Sequence, residues 1–156
     1  MEVRTARLED LRATEEVRIA TWKVAYRGIV PDSHLDALTV SDERVALLQS
    51  RYGGDVRSLV AEEDGRAVGM AAVGPCRDDD RVGERELYAL YVLAGHWGTG
   101  VGQALWEAAQ PFTSLWVLTD NPRARAFYER NGFRPDGRTL PVSFVAGVDE
   151  VRYVLG

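Results

Sequence analysis

The chain has 156 residues and holds one cysteine, one lysine and no long apolar run. A single cysteine excludes an internal disulfide and a multi-cysteine zinc site, so we expect Cys76 to be a small residue that is at least half-buried. No stretch approaches the roughly 18 apolar residues that a membrane helix needs, and the first ten residues lack the apolar core of a signal peptide. These absences predict a soluble, cytoplasmic protein without a membrane partner.

Acidic residues outnumber basic ones, 24 to 19, and the formal net charge is −5 at pH 7. An acidic chain without a basic stripe is not expected to bind nucleic acid as its main function. The three successive aspartates at 78–80 are predicted to lie in a solvated loop and to hold no metal, since no second ligand cluster accompanies them. The composition favours a small molecule or a peptide as the partner.

The length and the 46% share of hydrophobic residues suffice for one compact domain, and no linker or repeat interrupts the chain. We therefore predict a single domain over residues 1–156. Apolar periodicity and turn residues predict these elements: strands at 3–7, 58–63, 67–74, 84–92, 114–119 and 151–156, and helices at 11–25, after Pro31, after Ser41, at 99–112 and at 122–132. On the first helix, Ala13, Val17, Ala20 and Val24 are predicted to form the buried face. Asp64 and Gly65, between the strands at 58–63 and 67–74, predict an antiparallel hairpin. The order of the later elements predicts a parallel crossover unit joined to antiparallel strands.

Three glycines, Gly98, Gly100 and Gly102, fall within five positions between a predicted strand and a predicted helix. A loop at a helix N-terminus presents unpaired N–H groups and the positive end of the helix dipole, which suits phosphate or another anion. A tight turn with close packing explains the loop equally well when it is considered alone.

Two anion-binding motifs fail on this loop. A P-loop needs Gly-Lys-Ser/Thr at its end, where this chain has Gly102, Gln103 and Ala104. The dinucleotide pattern G-x-G-x-x-G fails as well, since its last position falls on Gln103 or on Leu105. The sequence therefore predicts neither a P-loop nucleotide-binding protein nor a nicotinamide-dependent oxidoreductase.

A third family fits. The segments "LYALYVLAGHWGTGVGQALWEAA" and "DNPRARAFYERNGF" closely resemble the GNAT superfamily of acyl-coenzyme A dependent N-acyltransferases. The family's loop pattern, Gln/Arg-x-x-Gly-x-Gly/Ala, falls on residues 97–102, with Trp97 in place of the usual Gln or Arg and Ala94 where proline is common. The family's downstream motif is matched at Asn121, Ala124, Phe127, Tyr128, Gly132 and Phe133.

The resemblance implies an α/β (α+β) fold: a mixed, mostly antiparallel sheet with a central parallel pair that splays apart, and helices on both faces. It also implies that acetyl-CoA binds between the strands that end near Val92 and Thr119, with the loop holding the pyrophosphate through main-chain N–H groups. The coenzyme-binding residues that it implies are Leu90, Val92, Leu93, Trp97, Gly98, Thr99, Gly100, Val101, Gly102, Gln103, Asn121, Phe127 and Tyr128.

The reaction needs a base for the amine, a donor to the thioester oxygen and an acid for the leaving thiolate. By resemblance, Glu86 is the candidate base, with Glu84 or water as the alternative, and Tyr128 is the candidate acid. A main-chain N–H near Leu90 to Val92 is the candidate oxyanion donor if the strand bulges. Structural roles stay open for the side chains: a strand-end carboxylate for Glu86, aromatic packing for Tyr128, a helix cap for Asn121 and a core position for Phe127.

The acceptor pocket is expected at Trp22, Tyr26, Ile29 and Tyr88, although Trp22 and Tyr26 equally suit the core. The predicted function is transfer of an acetyl group from acetyl-CoA directly to a primary amine of a small molecule or peptide. A non-catalytic acyl-CoA binding module is the alternative. A homodimer through an exposed late strand is left open.

Overall fold

The computed structural model describes all 156 residues. Its helices and strands, in chain order, are β1 (Glu2–Thr5), α1 (Leu11–Ala25), α2 (Asp32–Ala37), α3 (Asp42–Ser50), β2 (Arg57–Glu63), β3 (Arg66–Pro75), β4 (Arg85–Val92), α4 (Val101–Ala109), β5 (Ser114–Leu118), α5 (Pro122–Arg130), β6 (Phe133–Pro141) and β7 (Asp149–Leu155). Short 3-10 turns precede α1 and follow β4. None of the helices combines the length and the apolar character needed to cross a bilayer.

All seven strands form one sheet in the order β1-β2-β3-β4-β5-β7-β6. Every neighbouring pair is antiparallel except β4 and β5, which are parallel. Helix α4 packs its buried Val101, Leu105 and Trp106 into the main core cluster on one face, whereas α1 and α2 cover a second cluster around Val30 and Leu35. The predicted fold class, a mostly antiparallel mixed sheet with flanking helices, is confirmed.

The parallel pair separates soon after it begins. Strands β4 and β5 are paired only at Glu86 with Ser114 and at Leu87 with Leu115. In addition, β4 bulges at Tyr88, because Val73 and Ala72 of β3 lie opposite Leu87 and Ala89. A bulge bends its strand and increases the local twist. The carboxyl ends of β4 and β5 therefore diverge and leave a cleft in the middle of the sheet.

Most element boundaries agree with the sequence prediction to within two residues, and the turn between β2 and β3 has positive φ at both Asp64 (51°) and Gly65 (77°), as a type I′ hairpin requires. Helix α4 is shorter than predicted. Strand β6 was not predicted, because Pro135 and Gly137 interrupt it and its side chains are almost all exposed. An edge strand tolerates proline, since the N–H on its outer side needs no partner.

The predicted buried face of α1 is correct only in part: Val17 is buried and Ala13 half-buried, whereas Ala20 and Val24 are exposed. The face that packs inward carries polar groups, including Thr14, Glu15 and Thr21. The buried carboxylate of Glu15 is neutralised by Arg18 one turn later, at 2.6 Å between Nη2 and Oε1. Such a face shows no apolar period in the sequence.

The aspartate run at 78–80 is not a simple solvated loop. Asp80 makes a bidentate pair with the buried Arg152 of β7, with 2.7 and 2.8 Å between nitrogen and oxygen, and Asp78 lies 3.2 Å from the same guanidinium. Asp136 of β6 completes the cage at 2.6 Å. The carboxylates neutralise a buried cation that would otherwise be costly. No group of three His, Cys, Asp or Glu side chains is arranged to hold a metal ion.

Candidate active site

The cleft between β4 and β5 is a cavity of about 600 Å³. Its walls come from α1, the diverging ends of β4 and β5, the loop between β4 and α4, and helix α5, with Phe144 and Glu150 near the chain end. A cavity of this volume at the centre of a sheet is the size of a small-molecule site. It is therefore the candidate active site.

The two faces of the sheet contribute different side chains. Glu86 of β4 lies opposite Ser114 of β5. Trp116 and Leu118 follow Ser114 at alternate positions along β5, and Leu118 lies opposite Glu150 of β7. Alternation along a strand puts these side chains on one face, the face on which Leu118 packs in the second cluster, beneath α1 and α2. Tyr128 packs in the main core cluster on the opposite face, together with α4. The cleft thus joins an α1 side to an α4–α5 side.

The glycine loop is built to leave backbone donors free. Gly98 (φ 74°) and Gly100 (φ 92°) both adopt the left-handed region that other residues rarely enter. Gly100 is the N-cap of α4 and offers no side-chain cap. None of the six backbone N–H groups from Gly98 to Gln103 donates to another group of the chain. The loop is a nest of unpaired donors at a helix N-terminus, which suits an anion.

Trp97 positions an arginine beside this loop. Its indole Nε1 donates to the Val92 carbonyl at 2.8 Å, which fixes the ring. The guanidinium of Arg123, from α5, lies 3.5 Å above the centre of that ring. Arg123 lines the cavity, and burial lowers the pKa of its guanidinium. A cation without a carboxylate partner therefore stands next to the six free donors.

Two further backbone donors of β4 face the cleft. Leu93 donates its N–H to Val68 at 2.9 Å, and antiparallel partners alternate between hydrogen-bonded and non-hydrogen-bonded pairs. By that alternation, the N–H groups of Leu90 and Val92 point away from β3 and toward β5. The pairing with β5 has already ended at Leu87. The donors near Leu90 to Val92 that the sequence suggested thus face the cavity, beyond the bulge.

Tyr128 reaches the same cavity from α5. Its ring is buried among aromatic side chains, with its centroid 5.7 Å from that of Trp106 and 6.2 Å from that of Tyr153. Burial raises the pKa of the Tyr128 phenol well above its ordinary value of 10.0, and no hydrogen bond contributes to that shift. Aromatic packing and a hydroxyl that lines the cleft are therefore both present in this residue.

Glu86 lines the cavity and is only 1% exposed. Its carboxylate accepts from the Arg77 backbone N–H at 3.0 Å and from Arg77 Nη2 at 2.6 Å. The charge of Glu86 is therefore compensated and its orientation fixed. Glu84, the alternative base, lies off the cavity wall and accepts from Arg81 and from the Thr113 hydroxyl, both at 2.9 Å.

The remaining predicted residues divide between the cavity wall and other places. Those that line the cavity are Trp22, Tyr26, Tyr88, Leu90, Val92, Trp97, Gly98, Gly100, Gly102, Gln103, Asn121 and Phe127. Asn121 also caps α5, since its Oδ1 accepts from Ala124 N at 3.2 Å.

Four predicted residues lie off the cavity wall. Ile29 packs on the second cluster, beside a smaller cavity, because the turn after α1 carries it away from the cleft. Leu93 and Val101 belong to the main core. The Thr99 side chain is exposed and donates to His96 O. The backbone N–H groups of Thr99 and Val101 nonetheless belong to the loop's free donors.

Among the wall residues that the sequence interpretation did not name as site residues are Arg77, Arg123, Phe144 and Glu150. They come from three loops or helix starts and from the last strand, and no local motif marks them. The matched motif at 121–133 contains Arg123 only as an unspecified position.

Comparisons with known proteins agree with this geometry. Residues 54–135, which include both strands of the cleft, the glycine loop and α5, match the family model described as an acetyltransferase (GNAT) domain. The chain belongs to the GNAT acetyltransferase family. An uncharacterized N-acetyltransferase of Archaeoglobus fulgidus is 32% identical over 146 residues, which are 86% of this chain and 93% of that one. An uncharacterized N-acetyltransferase of Bacillus subtilis is 28% identical over 128 residues, covering 77% and 73%.

Among solved structures, the PaiA N-acetyltransferase of Thermoplasma acidophilum in complex with coenzyme A superposes with a TM-score of 0.77 at 22% identity, covering 99% of this chain and 98% of that one. This likeness shows the shared GNAT fold. Membership in the GNAT family makes the chain an acyl-CoA dependent N-acyltransferase. The chain departs from the family's loop pattern at Trp97, and here the tryptophan ring stacks against the guanidinium of Arg123 from α5.

Proposed function

We propose that this GNAT protein transfers an acetyl group from acetyl-CoA directly to a primary amine of a small molecule or peptide. The observation that carries the proposal is the set of six unpaired backbone N–H groups, Gly98 to Gln103, at one end of a cleft that also holds Tyr128 and Glu86. A pyrophosphate can accept hydrogen bonds from such a nest, and Arg123 adds a positive charge beside it.

Acetyl-CoA supplies the acetyl group as a thioester, whose C–S bond breaks as the acceptor nitrogen forms a C–N bond to the carbonyl carbon. The N–H groups of Leu90 and Val92 donate to the carbonyl oxygen as negative charge develops there. Asn121 accepts the α5 cap hydrogen bond at its Oδ1, and its Nδ2 is free to donate to the pantetheine arm. Phe127, which lines the same wall, packs against that arm.

Proton transfer is assigned to two side chains. The acceptor arrives as an ammonium ion, because alkyl amines have a pKa near 10.4, and Glu86 receives its first proton directly or through water. Tyr128 gives its proton to the departing sulfur and recovers one from the acceptor nitrogen through solvent. The balance is one amide, one thiol and one proton released to water. The raised pKa of Tyr128 keeps the phenol protonated, as an acid requires, throughout the neutral range.

The test is thiol release from acetyl-CoA with a panel of primary amines, with the acetylated product measured by mass spectrometry. We expect one acetamide per thiol. Coenzyme binding without thiol release from any amine would favour the non-catalytic binding module instead.

A matched pair of variants tests the base. Glu86→Gln should lower kcat about 100-fold or more, as expected for loss of a general base. Glu84→Gln should leave kcat unchanged, because Glu84 lies off the cavity wall. Equal kcat in both variants would remove Glu86 from the mechanism and leave water as the base. A cytoplasmic location stays a prediction, and so does the homodimer through a late strand. The late strand predicted at 151–156 is β7, which lies between β5 and β6, so the free edge at this end of the sheet is β6.

A further inference from the structure

The α1 side of the cleft carries an aromatic wall made of Trp22, Tyr26, Tyr91 and Phe144, all of which line the cavity. The Trp22 ring is its centre, with centroids 4.9 Å from Tyr26, 4.8 Å from Phe144 and 6.4 Å from Tyr91. Rings at these separations form one continuous apolar surface. Such a surface favours a flat or bulky apolar group over a hydrated one.

One carboxylate on this side has no partner. Glu150 lies directly opposite Leu118 in the sheet and lines the cavity. Burial raises the pKa of Glu150, as do the charges of Glu86 and Asp78, while Arg77 lowers it, and no hydrogen bond contributes. At the end of α1, burial raises the pKa of the Tyr26 phenol, and the nearby charge of Glu150 adds a smaller contribution in the same direction. A partly desolvated carboxylate that has no ion-pair partner is stabilised when a cation binds beside it.

Two cations on the α1 side are already paired with carboxylates. Arg77 is held by Glu86 at 2.6 Å, and Arg18, which stacks 5.0 Å from the Trp22 ring centre, is held by Glu15 at the same distance. Arg77, Glu86 and Glu150 line this side with a combined charge of −1. The unpaired Arg123 stacks on Trp97 beside the glycine loop, and it also lines the smaller cavity with Ala25 at the end of α1. The α1 side therefore favours a positively charged ligand and disfavours a carboxylate.

We propose that the acceptor is a primary amine carried on an aromatic or bulky apolar group, without a carboxylate beside the amine. Its ammonium group pairs with Glu150, and its apolar body packs on the aromatic wall. This inference rests on the proposed acetyl transfer, because it names the acceptor for the same cleft. Glu150 is assigned here to binding, and the base remains a separate group.

Three amines separate the parts of the proposal. 2-Phenylethylamine has both features, phenylalanine adds a carboxylate, and ethylamine lacks the ring. In the thiol-release assay, kcat/KM for 2-phenylethylamine should exceed that for each of the other amines by about tenfold or more. Ethylamine has no ring to bury on the aromatic wall, and the carboxylate of phenylalanine is repelled by the negative charge of the α1 side.

Variants then assign the contacts. Glu150→Gln should raise KM for 2-phenylethylamine about tenfold or more, through loss of a charged hydrogen bond, and leave kcat and the KM for acetyl-CoA nearly unchanged. Glu43→Gln, an exposed site on α3, is the matched control and should change nothing. Phe144→Leu should raise KM for 2-phenylethylamine a few-fold but not for ethylamine.

Calorimetry gives a readout without turnover. In the presence of coenzyme A, 2-phenylethylamine should bind the wild-type chain and bind Glu150→Gln more weakly. Failure to bind, a preference for phenylalanine or ethylamine, or a fall in kcat at constant KM in Glu150→Gln would each overturn the proposal. If the amine binds but no amine releases thiol, the binding contacts stand, the amine is a ligand and not an acceptor, and the proposed transfer fails.

Discussion

Replacing Gly100 by alanine separates the strain in the glycine loop from its binding role. Gly100 has φ 92°, and a Cβ at this position meets nothing within 4 Å. The substitution therefore adds backbone strain of about 1–2 kcal/mol without a steric clash. For a chain of this size, that strain should lower Tm by about 2 to 8 °C. Relief of the strain turns the loop and misaligns the N–H groups of 98–103.

Loss of one charged hydrogen bond from these donors is worth about 1.5–3 kcal/mol, so Kd for acetyl-CoA should rise about tenfold to a hundredfold. Gly53→Ala is a matched control, because Gly53 has φ 84°, has equally open surroundings and lies off the cavity. It should show a similar fall in Tm with unchanged Kd. Titration calorimetry and thermal unfolding measure both quantities. If the two variants lose Tm equally and bind acetyl-CoA equally well, the loop does not hold the coenzyme.

Three other outcomes follow from the same contacts. Tyr128→Phe should lower kcat about 100-fold with little change in either KM, and steady-state kinetics that show unaltered kcat would assign the acid to water. Arg123→Gln should raise Kd for acetyl-CoA about tenfold and weaken the salt dependence of that Kd. Trp97→Leu should have a smaller effect in the same direction. Equal salt dependence in titrations of the wild type and both variants would contradict a contact between Arg123 and the coenzyme. Pairing with Arg152 lowers the pKa of Asp80 below its ordinary value of 3.8, so this stabilisation is complete above about pH 4 and is lost as pH falls through the folded pKa. Urea unfolding of wild type and Asp80→Asn should therefore differ at pH 7 and converge in strong acid.

The local features of the fold could be predicted because neighbouring residues determine them. Helix α1 begins and ends where its pattern indicates, and the hairpin turn follows from Asp64 and Gly65. The glycine loop was recognised because its donors and its helix start lie within a few residues. The position of the cleft between β4 and β5 came from the resemblance to the GNAT family, and the register of these strands agrees with it.

Features that depend on distant pairing could not be predicted from the sequence alone. Strand β6 is held by its register with β7, although Pro135 and Gly137 speak against a strand. Glu150 reaches the cleft only because β7 inserts beside β5. Arg123 stacks on Trp97 although the two residues are 26 positions apart in the chain, and no local sequence pattern predicts this contact.

The acceptor side of the cleft is the hardest part to predict from the sequence, because it also depends on contacts between distant segments. Its aromatic wall combines α1, β4 and the loop before β7, which are brought together by the whole sheet. Trp22 and Tyr26, spaced one helical turn apart, suit a core as well as a pocket. In the structure both are half-buried, contact the second cluster and also line the cleft.

The most direct test of the central claim is a calorimetric titration of the purified chain with acetyl-CoA, with a nicotinamide adenine dinucleotide as the control ligand. The arrangement of free donors, Arg123 and the splayed strands predicts micromolar binding of acetyl-CoA, one molecule per chain, and no binding of the dinucleotide. Absence of acetyl-CoA binding, or equal binding of both ligands, would contradict the coenzyme site and leave the three glycines with only a structural role.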